Sequence, residues 1–444
     1  MSARCLQNSF VPVNRLPPEV LGIIPSSLPR KRDLINAAAV CWYWRDTMLS
    51  SPNLWCDIEC SGSRGPLRDH MFKKCLERSR MVPLNVRLTS VRYLPDIAPH
   101  LARFSALDMA VVTSEQLEKI GSHFSGPAPI LQKLSISGAA PWTQTSLSLP
   151  PGIFGGDFSS LTTLRLMGFS SLKIPQHFPQ LTRFDLKSHV YATLRTDTIM
   201  QVLERMPSLE ILHIKFCPDH HPPSSKPTPR SVTLPKLREI RLSSENTGVG
   251  PPSFIPPLLS FLTLPSAEQI TVGALPLAGS AILPSSFEEQ LPNFTETPVV
   301  GLCADMETFT ILFNGLRGSR FLFTTLCRNR HRFRREGFRG IPFLSVRKMV
   351  VTFDGVHDFE LEAYFVDLLR VMERLEYLEI RGECSRLLSL WSKSLEDLQS
   401  ACPSLRSLVV KKSTDSAELL ERITAARRLY GAPFLEVIEV VSEG

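Results

Sequence analysis

The 444-residue sequence contains no run of the ~18 apolar residues that a membrane-spanning helix needs. Its richest stretch, "FIPPLLSFLTLP", is short and interrupted by prolines. The opening "MSARCLQNSF" lacks the long apolar core of a secretory leader. None of the ten cysteines (5, 41, 56, 60, 75, 217, 303, 327, 384 and 402) belongs to a C-x-x-C pair. Cysteines scattered through apolar patterns point to small buried thiols in a reducing compartment, hence to an intracellular protein of the cytoplasm or nucleus. Catalytic signatures are missing too: there is no H-E-x-x-H, no G-x-S-x-G, no P-loop and no G-x-G-x-x-G. No catalytic residue, cofactor or membrane contact is therefore expected. Glycine is scarce beside proline, 23 residues against 36, which predicts many short elements separated by rigid turns.

The chain is nonetheless globular in composition. It is 43% hydrophobic and 21% charged, without the apolar depletion of a disordered protein. Its length holds roughly two to three ordinary domains, or one small domain and a long repeat array. The net charge of +7 is local: Arg317 to Lys348 carries nine Arg and one Lys against Glu336 alone, +9, which leaves −2 for the remainder. Within it, "CRNRHRFRREGFRG" (Cys327 to Gly340) reads as a solvated insertion, as a nuclear-import or acidic-partner contact, or as a phosphate-binding strip at 328–339 with Phe333 and Phe338 stacking on bases. Because the basicity is confined to one segment, nucleic acid is not the expected partner. "CPDHHPPSSKPTPR" brings Cys217, Asp219, His220 and His221 together, but adjacent histidines and this spacing fit no common zinc site. It reads as a proline-rich loop, and no metal is expected.

The N-terminal sixty residues hold a denser pattern. Leu16-Pro17-Pro18 is a helix-entry signal, Val20, Leu21, Ile23 and Ile24 supply an apolar face, and Pro25 ends that helix. After the break Pro29-Arg30-Lys31-Arg32, a second helical pattern has Leu34, Ala37, Ala38 and Cys41 in phase and runs on into Trp42, Trp44 and Arg45. Pro52, Leu54 and Trp55 close the segment. About forty residues are near the lower limit for an independent core, so the surplus apolar face needs a cover.

The order L-P-x-E-[VI]-L, a charged break, D-L, V-C-x-x-W-R and P-x-L-W, over Leu16 to Trp55, resembles an F-box. The resemblance covers one tenth of the chain. Pro25-Ser26 and Trp42-Tyr43 depart from the family's commoner residues. It implies a three-helix module that docks on a Skp-type adaptor and, through it, on a cullin ubiquitin ligase. The positions matching the motif are Leu16, Pro17, Glu19, Val20, Leu21, Ile24, Leu28, Leu34, Val40, Cys41, Trp44 and Trp55. Some of these hold the helices together and others touch the adaptor. The alternative is a helical cap on the remainder of the chain.

That remainder carries a repeat. Apolar-x-x-apolar-x-apolar recurs as "LQKLSI" at 131, "LTTLRL" at 161, "LTRFDL" at 181, "LEILHI" at 209, "LREIRL" at 237 and "AEQITV" at 267. It returns as "VRKMVV" at 346, "LEYLEI" at 375, "LRSLVV" at 405 and "LEVIEV" at 435, with weaker copies at 81, 104 and 306. Successive strong copies mostly lie 28 to 30 residues apart, and 267 to 346 is the poorest stretch. Proline stands two residues before seven copies (129, 179, 207, 235, 265, 403 and 433), consistent with a turn leading into a short strand. "DTIMQVLERM", "EAYFVDLLRVMERL", "SLEDLQSAC" and "AELLERITAARRLY" read as intervening helices. Strand plus helix at this period resembles a divergent leucine-rich-repeat solenoid. A doubly wound sheet is the alternative, disfavoured because these strands alternate polar and apolar residues.

The fold class expected is thus α/β: a three-helix F-box at 12–60, a helical linker at 61–80, and a leucine-rich-repeat-like strand–helix solenoid at 81–444 with a basic insertion near 317–348. On such a solenoid the outward strand positions are Ser135, Arg165, Met167, Asp185, Lys187, His213, Lys215, Arg241, Glu379, Arg381 and Lys411. Arg165, Lys187, Lys215 and Arg241 form the candidate target-binding set, a basic row suited to an acidic or phosphorylated peptide. The expected function is substrate recognition within a Skp–cullin–F-box ligase. A binding role outside ubiquitination, or nucleic-acid binding through 328–339, is the alternative.

Overall fold

The computed structural model describes residues 11–26, 31–60, 66–138, 146–169, 171–174, 176–187, 196–216, 231–244, 255–273, 299–304, 308–314, 320–326, 346–353, 369, 372–382, 402–411, 420–421, 423–425, 428 and 436–440. The chain divides into two compact units, Met1–Met167 with Lys173–Phe178, and Gly168–Leu172 with Pro179–Gly444. No described helix is long and apolar enough to cross a membrane.

The first unit opens with helices α1 (Pro18–Ser26), α2 (Lys31–Ala38) and α3 (Trp42–Ser50), followed by a 3-10 turn at Pro52–Trp55. Then come β1 (Asp57–Cys60), α4 (Pro66–Arg78), β2 (Leu84–Leu88), α5 (Leu94–Ile97), β3 (Phe104–Val112), α6 (Ser114–His123), β4 (Lys133–Gly138), β5 (Ser146–Ser148) and β6 (Thr163–Met167). β1, β2, β3, β4 and β6 pair in that order, all parallel. Their register sets Ile58, Val86, Leu107, Leu134 and Leu164 in one row, every one buried. Intervening residues such as Arg87 and Arg165 face outward and are exposed, as the period of two along a strand dictates.

β7 (Ser171–Lys173) spans the boundary between the units in sequence. The second unit has β8 (Arg183–Lys187), α7 (Thr196–Leu203), β9 (Ile211–Phe216), β10 (Val232–Thr233), β11 (Glu239–Ser244), α8 (Ile255–Ser260), β12 (Leu262–Thr263) and β13 (Gln269–Gly273). It continues with β14 (Val299–Ala304), β15 (Thr308–Asn314), β16 (Arg320–Leu326), β17 (Lys348–Phe353), β18 (Tyr377–Gly382), β19 (Ser407–Lys411) and β20 (Glu436–Val440). β8, β9, β11 and β13 pair in parallel, in chain order, as do β17, β18, β19 and β20. A doubly wound sheet would reverse its strand order at a switch point; within each of these two runs the order never reverses. β10 pairs with β12 in a separate small ladder.

Four of the seven prolines have a common explanation. Ahead of the strands a turn closes with an i to i+3 hydrogen bond, as from Leu131 N to Ala128 O, Leu209 N to Met206 O, Leu237 N to Leu234 O and Leu405 N to Cys402 O. Pro129, Pro207, Pro235 and Pro403 occupy the second position of those turns, where a φ fixed near −65° is wanted. The turns' first and last side chains are all buried. Two successive amides then share one carbonyl of the preceding copy: Glu210 N and Ile211 N donate to Thr182 O, and Arg238 N and Glu239 N to Glu210 O. The same arrangement recurs from Glu376 and Tyr377 to Arg347.

Three expectations are corrected. The weak copy at 306 is not a parallel repeat strand: β15 is antiparallel to both β14 and β16, so the poorest stretch of the repeat holds an inserted meander. β16 then pairs in parallel with β13, and β14 with β17. The second N-terminal helical pattern is two helices, because Cys41 is extended (φ −157, ψ 175) and caps α3. Pro25 lies inside the last turn of α1, which ends at Ser26. The helix expected around Ile199 is α7. Most of the helical patterns expected before 375, 403 and 433 lies outside the described residues, as do the 217–230 loop and the 327–340 arginine run. A stacked solenoid is not established by these local pairings.

Under the first unit's strands, Phe104, Phe124, Phe154, Phe158 and Phe178 form a continuous aromatic ladder with centroid separations of 5.7, 6.1, 5.8 and 5.2 Å. All five are buried. Phe154 N also donates to Phe124 O at 2.7 Å. Truncating the second rung removes contacts on both sides, so Phe124→Ala is expected to cost about 3–5 kcal/mol, read as a lowered denaturation midpoint in urea. A loss below ~1 kcal/mol would show that the ladder relaxes around the gap.

Candidate functional site

The N-terminal helices bury a thin core and leave much apolar surface outside. Leu21, Leu34, Met48, Leu54 and Trp55 are buried. Val20, Ile23, Ile24, Ile35, Val40 and Trp42 are exposed, Val40 by 63% and Trp42 by 68%. Scattered exposed apolar residues are ordinary, but this many on about thirty residues is what a docking face presents.

Polar bonds fix the segment ahead of α1. Trp44 Nε1 donates to Asn14 Oδ1 at 2.8 Å, and Tyr43 Oη donates to the Leu16 carbonyl at 2.6 Å. Tyr43, one of the two departures from the family pattern, thus ties the Leu16-Pro17 entry to α3. Arg45 Nε donates to Ala38 O at the end of α2 at 3.2 Å, satisfying a carbonyl that the helix leaves open. Trp55 is sealed inside: its Nε1 donates to Met48 O at 2.8 Å, and the Arg78 guanidinium lies 4.6 Å from its ring centroid.

The twelve motif positions therefore divide. Leu21, Leu34 and Trp55 lie in the core; Leu16, Cys41 and Trp44 are half-buried; Pro17, Glu19, Val20, Ile24 and Val40 are exposed. Leu28 lies outside the described residues. The sequence could not separate these groups, because one apolar helical stripe serves both core and partner.

On the outward face of the second unit, Lys187 and Lys215 share a register position, whereas Arg241 shares the adjacent one with His213 and Asp185. Outward positions two residues apart on a strand are separated by ~6.6 Å, so these three basic residues do not make one row. Arg165 belongs to the first unit's outward face, in register with Ser135. Arg183 pairs with Asp185 at 2.9 Å and Arg241 with Glu239 at 2.5 Å. His213 lies between the two carboxylates, Nδ1 3.0 Å from Asp185 and Nε2 3.1 Å from Glu239. Burial raises the Asp185 and Glu239 carboxyls, but hydrogen bonds from His213 and the neighbouring arginines outweigh it and hold both below the usual carboxylate range.

A second cluster lies on β18 and β19. Glu379 is 5% exposed although its position faces outward. Arg381 Nε and Lys411 Nζ each donate to its Oε1 at 2.7 Å, and Tyr377 Oη donates to Oε2 at 2.9 Å. Burial pushes this carboxyl up; the three donors reverse that and bring it from 4.5 to about 2. The available signal was charge at i and i+2 on one face: R-x-D at 183–185 and E-x-R at 239–241 and 379–381. Among the described residues, no group of three or more His, Cys, Asp or Glu is placed to hold a metal ion.

Because the folded-state pKa of Glu379 is depressed, its contribution is complete above the ordinary carboxylate range and is lost as pH falls through about 2. Glu379→Gln should therefore be less stable than wild type at pH 7, with the gap narrowing between pH 4.5 and 2. Urea titrations across that range check this; a gap independent of pH would mean the charge is not used.

Residues 13–61 match the F-box-like family model, a span that holds α1 to α3, Trp55 and β1. No curated protein matches the chain. The N-terminal segment is thus an F-box-like domain.

Proposed function

We propose that the chain is the substrate-recognition subunit of a Skp–cullin–F-box ubiquitin ligase. The F-box-like domain docks on a Skp-type adaptor, and the strand-bearing remainder, from residue 81 onward, holds the target protein. The observation that carries this reading is the exposed apolar set Val20, Ile24 and Val40 within residues 13–61. Trp42, which departs from the commoner family pattern, is exposed as well. Ubiquitin transfer needs nothing from this chain beyond proximity: fixing the target beside a loaded enzyme raises its effective concentration without any acid, base or nucleophile of its own. The outward faces of the strands, with their tethered cations, offer target contacts, and Arg165, Lys187, Lys215 and Arg241 are the first candidates.

The test is capture of a purified Skp-type adaptor by the full chain and by Val20→Asp/Ile24→Asp/Val40→Asp. All three side chains are at the surface, so far-UV circular dichroism and the melting midpoint should be unchanged. Adaptor affinity should fall at least about thirtyfold, the equivalent of one hot spot of ~2 kcal/mol. Undiminished capture by the folded variant, or no capture by wild type, would return the N-terminal helices to the role of a cap.

A further inference from the structure

The Glu379 cluster is built in a way that its stabilising role does not require. In register, Glu379 stands between Val350 on β17 and Val409 on β19, so its carboxylate has apolar side chains on both flanks. One step along, Arg381 stands directly beside Lys411, and one step back Tyr377 stands beside Lys348. Two cations facing each other across neighbouring strands repel. Here both heads are drawn onto a single carboxylate oxygen, each at 2.7 Å, while the Lys348 ammonium sits 4.5 Å from the Tyr377 ring centroid. Two cations thus converge on one anion, and a third sits over the neighbouring Tyr377 ring. The Arg381 and Lys411 side chains remain 49% and 39% exposed, whereas that of Glu379 is 7% exposed. The acid is at the floor and the cations reach solvent.

We propose that Arg381 and Lys411, held by Glu379, form an anion-receiving fork on the outward face of β17, β18 and β19 that takes carboxylate side chains from an acidic segment of a partner protein. Charge complementarity argues for an anion, since two cations share the one carboxylate of Glu379 and a guanidinium keeps free donors once Nε is used. The guanidinium's terminal nitrogens present the planar pair of donors that a carboxylate's two oxygens match. A nucleic-acid strand is disfavoured because base stacking needs an open aromatic face, and Lys348 covers a face of Tyr377. The proposal rests on the reading that the strand-bearing part of the chain holds the target. Glu379 is a positioning residue, since it acts on the partner only through Arg381 and Lys411.

The experiment is fluorescence anisotropy of fluorescein-labelled hexaglutamate with the full chain, at low and at physiological salt. Wild type should bind, more weakly as salt rises. Arg381→Ala/Lys411→Ala should weaken binding about tenfold, while the charge-matched Lys119→Ala/Arg238→Ala, at two exposed positions away from the cluster, does not. Glu379→Gln adds one net positive charge, so an unspecific electrostatic surface would bind hexaglutamate more tightly; the fork requires weaker binding instead. Equal losses in both double variants, tighter binding by Glu379→Gln, or a single-stranded oligonucleotide bound in preference through the same two residues would overturn the proposal. A wild type that captures the Skp-type adaptor but not hexaglutamate sinks the fork and leaves the docking reading standing. Loss of adaptor capture with hexaglutamate binding retained does the converse.

Discussion

Two backbone amides at the head of a strand share one carbonyl of the copy before it, and this fixes the register on which the rest depends. Glu210 and Ile211 read the position of Thr182, Arg238 and Glu239 read that of Glu210, and Arg406 and Ser407 read that of Glu376. A slip of one residue would turn every inward side chain outward. With the register held, Phe184, Leu212, Ile240 and Ile270 fall in one buried row. The prolines contribute by shaping the turn immediately upstream, where Pro207 and Pro235 leave the donors of Leu209 and Leu237 aimed back at Met206 and Leu234.

The same register that makes the core also places charge. Parallel pairing without offset sets identical positions of successive copies side by side, so a basic residue repeated in sequence meets a like neighbour in space. The protein places carboxylates at outward positions to tether them. Asp185 and Glu239 hold Arg183 and Arg241 with His213 between, and Glu379 gathers Arg381 and Lys411. The carboxylates are mostly buried while the cationic ends reach solvent, which screens part of each attraction. What they supply is a definite position for each cationic head.

The F-box-like domain follows a different rule. Three short helices cannot enclose their own apolar residues, and the side chains divide between a core around Leu21, Leu34 and Met48 and a surface at Val20, Ile24 and Val40. Trp55 links that core to the chain beyond it, through Met48 on one side and Arg78 on the other. The exposed face thus stands on a framework anchored from behind.

The F-box-like segment, the strand positions and the turns were legible from the residue pattern alone, because helix entry signals, period-two alternation and proline placement are local. The meander of β14, β15 and β16 was not, since antiparallel and parallel strands carry the same alternation and differ only in which strand they meet. Nor was the break at Cys41, where an apolar phase runs unbroken through a residue whose backbone is extended. The division of the motif residues, and the gathering of Arg381 and Lys411 at Glu379, belong to the tertiary structure. Glu379 and Lys411, 32 apart in the chain, are neighbours there only because parallel strands pair in register. Sequence by itself determined what each strand turns inward and what it turns outward; tertiary structure decided which outward charges meet, because pairing between distant segments has no local signature.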